Sequence, residues 1–258
     1  MRYLIPAAGM GRRMGDAAAG APKCLIEVNG ETLIARLLRQ IRTSDPGADI
    51  HVIVGFRSDA VVPLIAGCRI IVNPFFDRTG INGSIWLARE SFEQPVTLIH
   101  ADLLLGDDLA RELFTAAPET LMAYDSSLRN DAEVNVAVDD GKVIRFDENF
   151  PGYTGLYAGV LKLSLRAARA FADTLDRRIV QGFSDPRDYY FFAVRAIIDE
   201  YGIPIDAFDC AGYAWQEIDR AEHIEAARAR FSPAPSFPFR TRTPPAREPY
   251  GRVRRGRP

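Results

Sequence analysis

Residues 3–41 read YLIPAAGMGRRMGDAAAGAPKCLIEVNGETLIARLLRQI, and this stretch decides the fold. The apolar run YLIPAA predicts a buried strand, and LIARLLRQI carries apolar residues at helical spacing. Between them lies a glycine-rich loop with two arginines and a lysine. Glycines let the backbone approach a ligand closely, and successive N–H groups form a concavity that binds anions. The stretch therefore predicts a phosphate-binding loop at the end of the first strand.

The rest of the first half alternates predicted strands and helices. DIHVIVGF, CRIIVNP, PVTLIHADLLL and ETLMAYDS are typical of strands, and the third of these ends in a carboxylate. SDAVVPLIAG, the later part of INGSIWLARESF, and ARELFTAAP are typical of helices. Such alternation predicts a mainly parallel sheet with helices on both faces, and ligands then bind at the carboxyl ends of the strands.

The second half departs from this alternation. VNVAVDDGKVIRFDEN predicts two strands joined by a tight turn, and TGLYAGVLKLS predicts another strand. LRAARAFADTLDRRIV, RDYYFFAVRAIIDEYG and RAEHIEAARARF predict helices, and PIDAFDCAGYAWQEID predicts an extended segment. We therefore expect one Rossmann-like α/β domain over residues 1–231, with a mixed, mainly parallel sheet and small antiparallel additions.

Composition narrows the class of protein. The chain has 258 residues, 47% of them hydrophobic, which is enough for a sizeable core. It has no apolar run of the length that a membrane span needs, and its first residues do not resemble a signal peptide. Three widely separated cysteines and no Cys/His cluster at zinc spacing indicate a reducing, cytoplasmic protein without a zinc site. We expect no membrane partner.

Residues 232–258 form a tail of a different kind. The tail is rich in proline and contains seven Arg and one Glu, with no helical or strand period. This composition predicts a disordered or surface-draped extension. Basic and aromatic residues do not interleave in it, so we expect no nucleic-acid partner.

A dinucleotide-binding oxidoreductase is one class of protein that begins with such a loop. That class needs a third glycine in the loop and an acid at the end of the second strand. Here Met14 stands in the third position and the second strand ends in VGF. The loop therefore disfavours this class.

PAAGMGRRMG followed by APKCLIEVNGETLI closely resembles the signature of the NTP-transferase family, which makes activated sugars and alcohols. The family pattern is A-A-G-x-G-[ST]-R-[MFL], a short gap, and P-K-x-L. The matching residues here are Ala7, Ala8, Gly9, Gly11, Arg13, Met14, Pro22, Lys23 and Leu25. Arg12 stands where the family has Ser or Thr. The resemblance implies a glycosyltransferase-A-like nucleotidyltransferase fold.

The same resemblance assigns roles to these residues. It implies that the nucleotide is bound by the loop residues Ala7, Ala8, Gly9, Gly11 and Arg12. It implies catalytic roles for Arg13 and Lys23, whose guanidinium and ammonium groups suit phosphate oxygens.

Two aspartates are implied to bind Mg²⁺. LIHADLLL resembles the family's strand that ends in a metal-binding Asp, which maps onto Asp102, a residue also expected to contact the nucleotide. WQEIDRAEHIEAA resembles the family's late W-x-E-I-D segment, whose Asp maps onto Asp219. Spacing alone cannot pair two such distant carboxylates, so the pairing comes from the resemblance.

The chain looks most like the phosphocholine cytidylyltransferase branch of the family. NPFFDRTGINGSIWLARE carries this likeness through Asn73, Asn82, Ser84 and Trp86. The resemblance implies that Asn82, Gly83 and Ser84 read the base, although Asn82 or Ser84 could equally cap a helix. It also implies an acceptor pocket at the three positions Glu133, Asp188 and Tyr190.

Acidic and aromatic groups together suit a cationic head group. However, Val134 replaces the aromatic residue that this branch has beside its first acid. A smaller amine, a hydroxyalkyl phosphonate or a polyol phosphate therefore fits the pocket as well as choline does.

We therefore expect a Mg²⁺-dependent cytidylyltransferase that joins CTP to a phospho- or phosphonoalcohol and releases pyrophosphate. No histidine needs a catalytic role, and His100 is interpreted as a buried, hydrogen-bonded imidazole. Three alternatives remain. They are a sugar-1-phosphate nucleotidylyltransferase, a retaining glycosyltransferase, and a nucleotide-sensing or scaffold protein of the same fold. The glycosyltransferase usually has a D-x-D motif that HADLLL lacks. The sequence leaves a homodimer open.

Overall fold

The computed structural model describes residues 1–11, 14, 20–117, 119–130, 133–180 and 189–231, with the backbone alone at 179 and 180. The tail at 232–258 lies outside the described residues, so the boundary at 231 stays a prediction. Arg12, Arg13 and Asp188, three of the expected site residues, also lie outside them.

The strands and helices follow one another along the whole described chain. The strands are β1 Arg2–Ala7, β2 Glu27–Val28, β3 Glu31–Thr32, β4 Asp49–Val54, β5 Arg69–Val72, β6 Val96–Ile99, β7 Leu103–Leu105, β8 Leu121–Asp125, β9 Val134–Asp139, β10 Lys142–Glu148, β11 Gly155–Leu163, β12 Asp206–Asp209 and β13 Trp215–Glu217. The α-helices are α1 Leu33–Ser44, α2 Ser58–Val61, α3 Gly80–Leu87, α4 Asp107–Thr115, α5 Leu165–Val180, α6 Phe191–Asp199 and α7 Ala221–Arg230.

A mixed sheet forms the centre of the molecule. Nine strands of the described chain lie in the order β5-β4-β1-β6-β11-β8-β12-β10-β9. β5, β4, β1 and β6 pair in parallel, whereas β11 runs antiparallel to its neighbours β6 and β8. β9 and β10 form the expected hairpin, whose turn residues Asp140 and Gly141 both have positive φ. The expected α/β fold is confirmed.

Hydrophobic cores lie on both faces of the sheet. Tyr3 and Ile5 of β1 point into one core with α1 and α4, and Leu4 points into the other with α3, α5 and α6. Successive residues of a strand face opposite sides, so a strand covered on both faces is apolar throughout. This explains the continuous apolar run YLIPA.

Two segments differ from the sequence predictions. The predicted strand PVTLIHADLLL is divided into β6 and β7, and β7 leaves the main sheet to pair with β13. The helix α3 begins at Gly80, so it occupies the early part of INGSIWLARESF, and a 3₁₀ helix covers Arg89–Glu93. Both differences place polar side chains near the carboxyl end of β1. Within the described residues, no helix is long and apolar enough to cross a lipid bilayer.

Candidate active site

A cleft of about 550 Å³ opens where β1 ends. Its walls come from six parts of the chain: the loop at residues 6–11, Lys23 with Cys24, the segment 76–84, the turn 100–102, Tyr189 and Glu217. The cleft thus lies at the carboxyl end of parallel strands, where open α/β sheets bind their ligands.

The loop after β1 approaches Lys23 closely. Gly11 has a φ of +62°, and a Cβ added there would lie 3.0 Å from the Cγ atom of Lys23. Only glycine adopts this conformation without strain. A Cβ at Gly9 would meet nothing within 4 Å, so that position is open to a ligand. Met14 is buried in a small hydrophobic core that also contains Ile26.

The pairing of β7 with β13 brings Asp102 and Asp219 together. Glu217 of β13 lies opposite Leu103 of β7. The N–H of Ile218 then donates to the carbonyl of Asp102 at 2.9 Å. Asp102 immediately precedes β7 and Asp219 lies two residues after the end of β13, so both carboxylates reach the Lys23 ammonium group. The structure thus juxtaposes the two residues that the sequence resemblance pairs.

Lys23 lies between these carboxylates. Its Nζ atom is 3.2 Å from Oδ2 of Asp102 and also contacts Oδ1 of Asp219. Burial alone would lower the pKa of Lys23, but the two carboxylates outweigh burial and raise it. The lysine therefore stays protonated at neutral pH and serves as a fixed positive charge.

Glu217 is a cleft residue that the sequence analysis missed. Burial, followed by the negative charges of Asp102, Asp219 and Glu133, raises the pKa of its carboxyl group to about 8. Alternate residues of a strand face the same side. An acid two positions before Asp219 in an extended segment was therefore a signal that could have identified it.

His100 is held by tyrosines at the floor of the cleft. Its Nε2 atom lies 2.8 Å from the hydroxyl oxygen of Tyr189 and 2.9 Å from that of Tyr190. The Tyr190 hydroxyl in turn donates to Tyr157 at 3.0 Å. Burial lowers the pKa of His100, so its imidazole is neutral at pH 7. This agrees with the sequence-based interpretation of a hydrogen-bonded imidazole.

Two expected acceptor residues are described, and neither lines the cleft. Tyr190 has 0% exposure and contacts His100 from inside the core, while its neighbour Tyr189 lines the cleft. Tyr190 therefore does not line the cleft, and its role in acceptor binding stays a prediction. Glu133 lies close enough for its charge to raise the pKa of Glu217, but it is not among the lining residues.

The expected base-reading residues lie in the first turns of α3. Asn82 and Ser84 are both buried, and only Ser84 lines the cleft. A Cβ at Gly83 would lie 2.4 Å from the Cβ of Thr79, so glycine is needed there for packing. Asn82 and Gly83 therefore do not line the cleft, and this geometry does not show them in a position to contact a base.

Asn73 organises the chain in front of α3. Its amide nitrogen donates to the Ser84 hydroxyl at 2.9 Å and to the Thr79 hydroxyl at 3.1 Å, and its Oδ1 accepts from the N–H of Phe75. The residues that this arrangement presents to the cleft were missed by the sequence analysis: Phe76, Asp77, Arg78, Gly80 and Ile81. The available signal for these residues was the presence of charged and aromatic side chains next to the segment that was predicted to bind the base.

This mixed sheet, with a glycine loop facing a lysine and two carboxylates, defines the nucleotidyltransferase-like class of α/β proteins. A family model described as the MobA-like NTP transferase domain matches residues 3–190. The chain belongs to this family, and the family resemblance seen in the sequence is confirmed.

Curated relatives include cytidylyltransferases. CMP-5'-(3-aminopropyl)phosphonate synthase of Streptomyces rubellomurinus is 29% identical over 90% of this chain and 39% of its own length. The bifunctional IPC transferase and DIPP synthase of Rubrobacter xylanophilus is 27% identical over 85% of this chain and 49% of its own length. The chain thus spans less than half the length of these relatives.

Solved structures share the fold. CTP:phosphocholine cytidylyltransferase from Streptococcus pneumoniae superimposes with a TM-score of 0.72 at 20% identity, covering 88% of this chain and 97% of its own. The inositol-1-phosphate CTP transferase from T. maritima gives a TM-score of 0.65 at 17% identity, covering 88% of this chain and 96% of its own. The expected nucleotidyltransferase fold is confirmed by these structures.

Proposed function

We propose that this protein is a cytidylyltransferase that joins CTP to a small phosphonate or phosphate monoester carrying an amine. The observation that carries this proposal is the contact of Lys23 with both Asp102 and Asp219 beside the glycine loop. The cytidylyltransferase relatives support CTP as the nucleotide. The widely spaced cysteines suit a cytoplasmic enzyme.

The proposed reaction is a single displacement at phosphorus. A phosphonate or phosphate oxygen of the acceptor attacks the α-phosphorus of CTP and forms a new P–O bond. The bond between the α-phosphorus and the bridging oxygen breaks, and that oxygen leaves with pyrophosphate. The attacking oxyanion is already ionised near neutral pH, so no general base is needed. Catalysis then consists of positioning and charge neutralisation.

The loop and Lys23 supply both of these effects. The backbone of residues 8–11 can approach the triphosphate, since Gly9 leaves open space and Gly11 has the left-handed conformation. Lys23 lies at the base of this loop with its charge fixed between two carboxylates. A cation in that position stabilises the negative charge that the α-phosphoryl group carries as the new bond forms.

The cleft residues fit the Mg²⁺ that this family is expected to use. Asp102 and Asp219 already meet at one cation, the Lys23 ammonium group, so their carboxylates can share another. Mg²⁺ held by these two aspartates would polarise phosphoryl oxygen and offset charge in the transition state.

The acceptor end of the cleft favours an amine. Tyr189 lines it, and the carboxylate of Glu133 lies near this part of the lining. Carboxylates and an aromatic ring attract a cation by charge and by the quadrupole of the ring. The relative that makes CMP-5'-(3-aminopropyl)phosphonate has an acceptor of this chemistry in its name. We therefore favour aminoalkylphosphonates as the acceptor class.

An acceptor panel tests the proposal. The purified protein is incubated with Mg²⁺, each of the four NTPs and one acceptor, and pyrophosphate release is measured. The acceptors are 2-aminoethylphosphonate, 3-aminopropylphosphonate, 2-hydroxyethylphosphonate, phosphocholine, inositol 1-phosphate and glucose 1-phosphate. We expect release with CTP and an aminoalkylphosphonate.

The panel also separates the alternatives. Pyrophosphate release with a sugar or inositol phosphate alone would support nucleotidyl transfer but would contradict aminoalkylphosphonates as the acceptor class. Release with ATP, GTP or UTP but not with CTP would contradict the cytidylyl assignment. NTP binding without release for any acceptor would favour the nucleotide-sensing alternative.

A further inference from the structure

Three potential metal ligands from two separate segments lie close together near Lys23. His100 and Asp102 come from the turn after β6, and Glu217 comes from β13. One ligand atom from each residue lies within 4.8 Å of the other two. Ligand bonds of about 2.1 Å allow two ligands of one ion to lie up to about 4.2 Å apart, so a small contraction would close this trio on an ion.

The carboxylate oxygens of the trio are available. In the part of the chain that the structure describes, the Glu217 carboxylate forms neither a hydrogen bond nor an ion pair. Asp102 uses its Oδ2 atom for Lys23, and its Oδ1 atom is not engaged by a described residue. Asp102 can therefore serve Lys23 or a first cation with one oxygen and a second cation with the other.

The imidazole of the trio is oriented in the way that metal-binding histidines are. A ligating histidine usually donates its other ring N–H to an oxygen acceptor, which fixes its tautomer and its ring plane. Here Nε2 of His100 lies 2.8 Å from the Tyr189 oxygen and 2.9 Å from the Tyr190 oxygen. Donation from Nε2 leaves the lone pair on Nδ1, for which the described residues provide no hydrogen-bond partner.

The hydroxyl hydrogens can be placed consistently with this tautomer. Tyr189 donates to Tyr190 at 2.9 Å, and Tyr190 donates to Tyr157 at 3.0 Å. Each hydroxyl proton of Tyr189 and Tyr190 then has an acceptor, and the Tyr189 oxygen is free to accept from His100. Tyr190 is fully buried, so it holds the imidazole from the core and not from the solvent.

The carboxylates that the structure describes in and beside the cleft favour a further cation. Asp102, Glu217 and Asp219 face one another, and Lys23 is the cation that contacts two of them among the described residues. Single occupancy of the Asp102–Asp219 pair by Mg²⁺ would leave Glu217 without a partner. A nitrogen and two carboxylates suit Mn²⁺, Co²⁺ or Zn²⁺ better than they suit Mg²⁺, which prefers oxygen ligands.

We propose that His100, Asp102 and Glu217 form a second divalent-cation site, distinct from the Asp102–Asp219 pair and selective for a transition metal. Asp102 belongs to both sites and would link the two ions. The inference deepens the proposed function because it concerns the same cleft. It concerns metal binding in the absence of nucleotide, so it can be tested without turnover.

The test is a Mn²⁺ titration of the protein without a polyhistidine tag and without CTP or acceptor. Free Mn²⁺ is measured by its electron paramagnetic resonance signal, and electron spin echo modulation reports a coordinated ¹⁴N nucleus. We expect two Mn²⁺ per chain and a ¹⁴N modulation. His100→Gln should remove the modulation, and Glu217→Gln should weaken one of the two sites by about tenfold or more.

Glu133→Gln is the matched control, because it removes a nearby carboxylate that is outside the trio. It should keep both sites and the modulation, and circular dichroism should show that every variant is folded. One Mn²⁺ per chain in the wild type, with no ¹⁴N modulation and no effect of Glu217→Gln, would overturn the site. The site would also be overturned if the only effect of Glu217→Gln were a higher KM for the acceptor, because Glu217 would then bind the acceptor and not a metal ion.

The acceptor panel and this titration can distinguish failure of the proposed function from failure of the proposed second site. A protein that binds two Mn²⁺ ions but releases no pyrophosphate keeps the second site and loses the proposed function. A protein that releases pyrophosphate but binds one Mn²⁺ without nitrogen keeps the function and loses the second site.

Discussion

The two walls of the cleft are built differently. One wall, residues 6–11 with Lys23, comes from a continuous piece of chain, and its loop presents backbone groups and open space at Gly9. The other wall, Asp102 with Glu217 and Asp219, exists only because β7 and β13 pair across the structure. The first wall is a local property of the sequence, whereas the second depends on tertiary structure and concentrates like charges.

The largest expected effect is on the carboxylate wall. Asp102→Asn should lower kcat by about 10³-fold or more, because it removes a carboxylate that neutralises charge with a cation in the transition state. Pyrophosphate release at saturating substrates measures it. Asp139→Asn, an exposed acid at the end of β9, is the control and should be fully active. Near-normal turnover of Asp102→Asn would contradict the assigned role of this wall.

Lys23 joins the two walls, so its removal separates their contributions. Lys23→Met should lower kcat by about 10²-fold and destabilise the metal-free protein by about 3 kcal/mol, because two largely buried carboxylates lose the ammonium group between them. Mg²⁺ should then raise the melting temperature of the variant more than it raises that of the wild type. Differential scanning fluorimetry with EDTA or Mg²⁺ measures this. An equal Mg²⁺ effect on both proteins would mean that Lys23 and the ion do not share the site.

A substitution at Trp215 tests whether its hydrogen bond holds β13 in place. Its indole N–H donates to Oδ2 of Asp125 at 2.7 Å in the core. Trp215→Phe should cost about 2 kcal/mol of stability, because a buried carboxylate loses a donor, and should lower kcat by displacing β13. Trp86→Phe is matched to it, since the Trp86 indole donates to Asp176 at the same distance but at the surface.

We expect Trp86→Phe to cost less than about 0.5 kcal/mol. Chemical denaturation of both variants measures the comparison. Equal losses would show that the Trp215 hydrogen bond does not anchor the strand.

The glycine loop should respond more modestly. Gly11→Ala forces a positive φ on a residue with a Cβ and pushes that Cβ toward Lys23, so we expect a loss of about 1–2 kcal/mol. Gly9→Ala meets no atom within 4 Å and should change the thermal stability of the free protein by less than about 0.5 kcal/mol. A larger loss at Gly9 than at Gly11 would contradict the described loop conformation.

A further expected effect is a pH dependence of stability that reports on Glu217. Its pKa is raised to about 8 in the folded protein, mainly by burial, from an ordinary value of 4.5. The folded state therefore holds this proton more tightly than the unfolded state, and stability falls as the pH rises from about 4.5 through 8. Glu217→Gln stays neutral and lacks this loss.

Melting temperatures of the wild type and of Glu217→Gln are measured in EDTA from pH 5 to pH 9. The difference, wild type minus variant, should fall with increasing pH. The subtraction removes the contributions of other titrating groups. A flat difference would show that Glu217 is ionised throughout this range.

The continuous wall was largely predictable from the sequence. The strand, the loop and Lys23 follow from residues that are close together, and so do the core helices on both faces. Their patterns depend on local periodicity and on the conformational freedom of glycine, both of which a sequence displays directly. Asp102 and Asp219 were identified by family resemblance, because no local rule pairs residues this far apart.

The remaining features depend on packing that periodicity cannot express. The division of PVTLIHADLLL into β6 and β7 requires a partner strand, β13, from the far end of the chain. Tyr190 lies in the core and Tyr189 lines the cleft, and the sequence does not specify which of two adjacent aromatic rings faces the core. Glu217 was missed because its environment is made by burial and by the carboxylates of Asp102 and Glu133, which come from other segments.

The most direct test of the central claim is a ³¹P NMR spectrum of CTP, Mg²⁺ and 3-aminopropylphosphonate incubated with the wild-type protein and with Asp102→Asn. We expect the wild type to produce free pyrophosphate and a pair of mutually coupled resonances, one phosphonate and one phosphate, from the new P–O–P linkage. The variant should leave the spectrum of the substrates unchanged. Release of pyrophosphate without coupled resonances, or equal product from both proteins, would contradict the central claim.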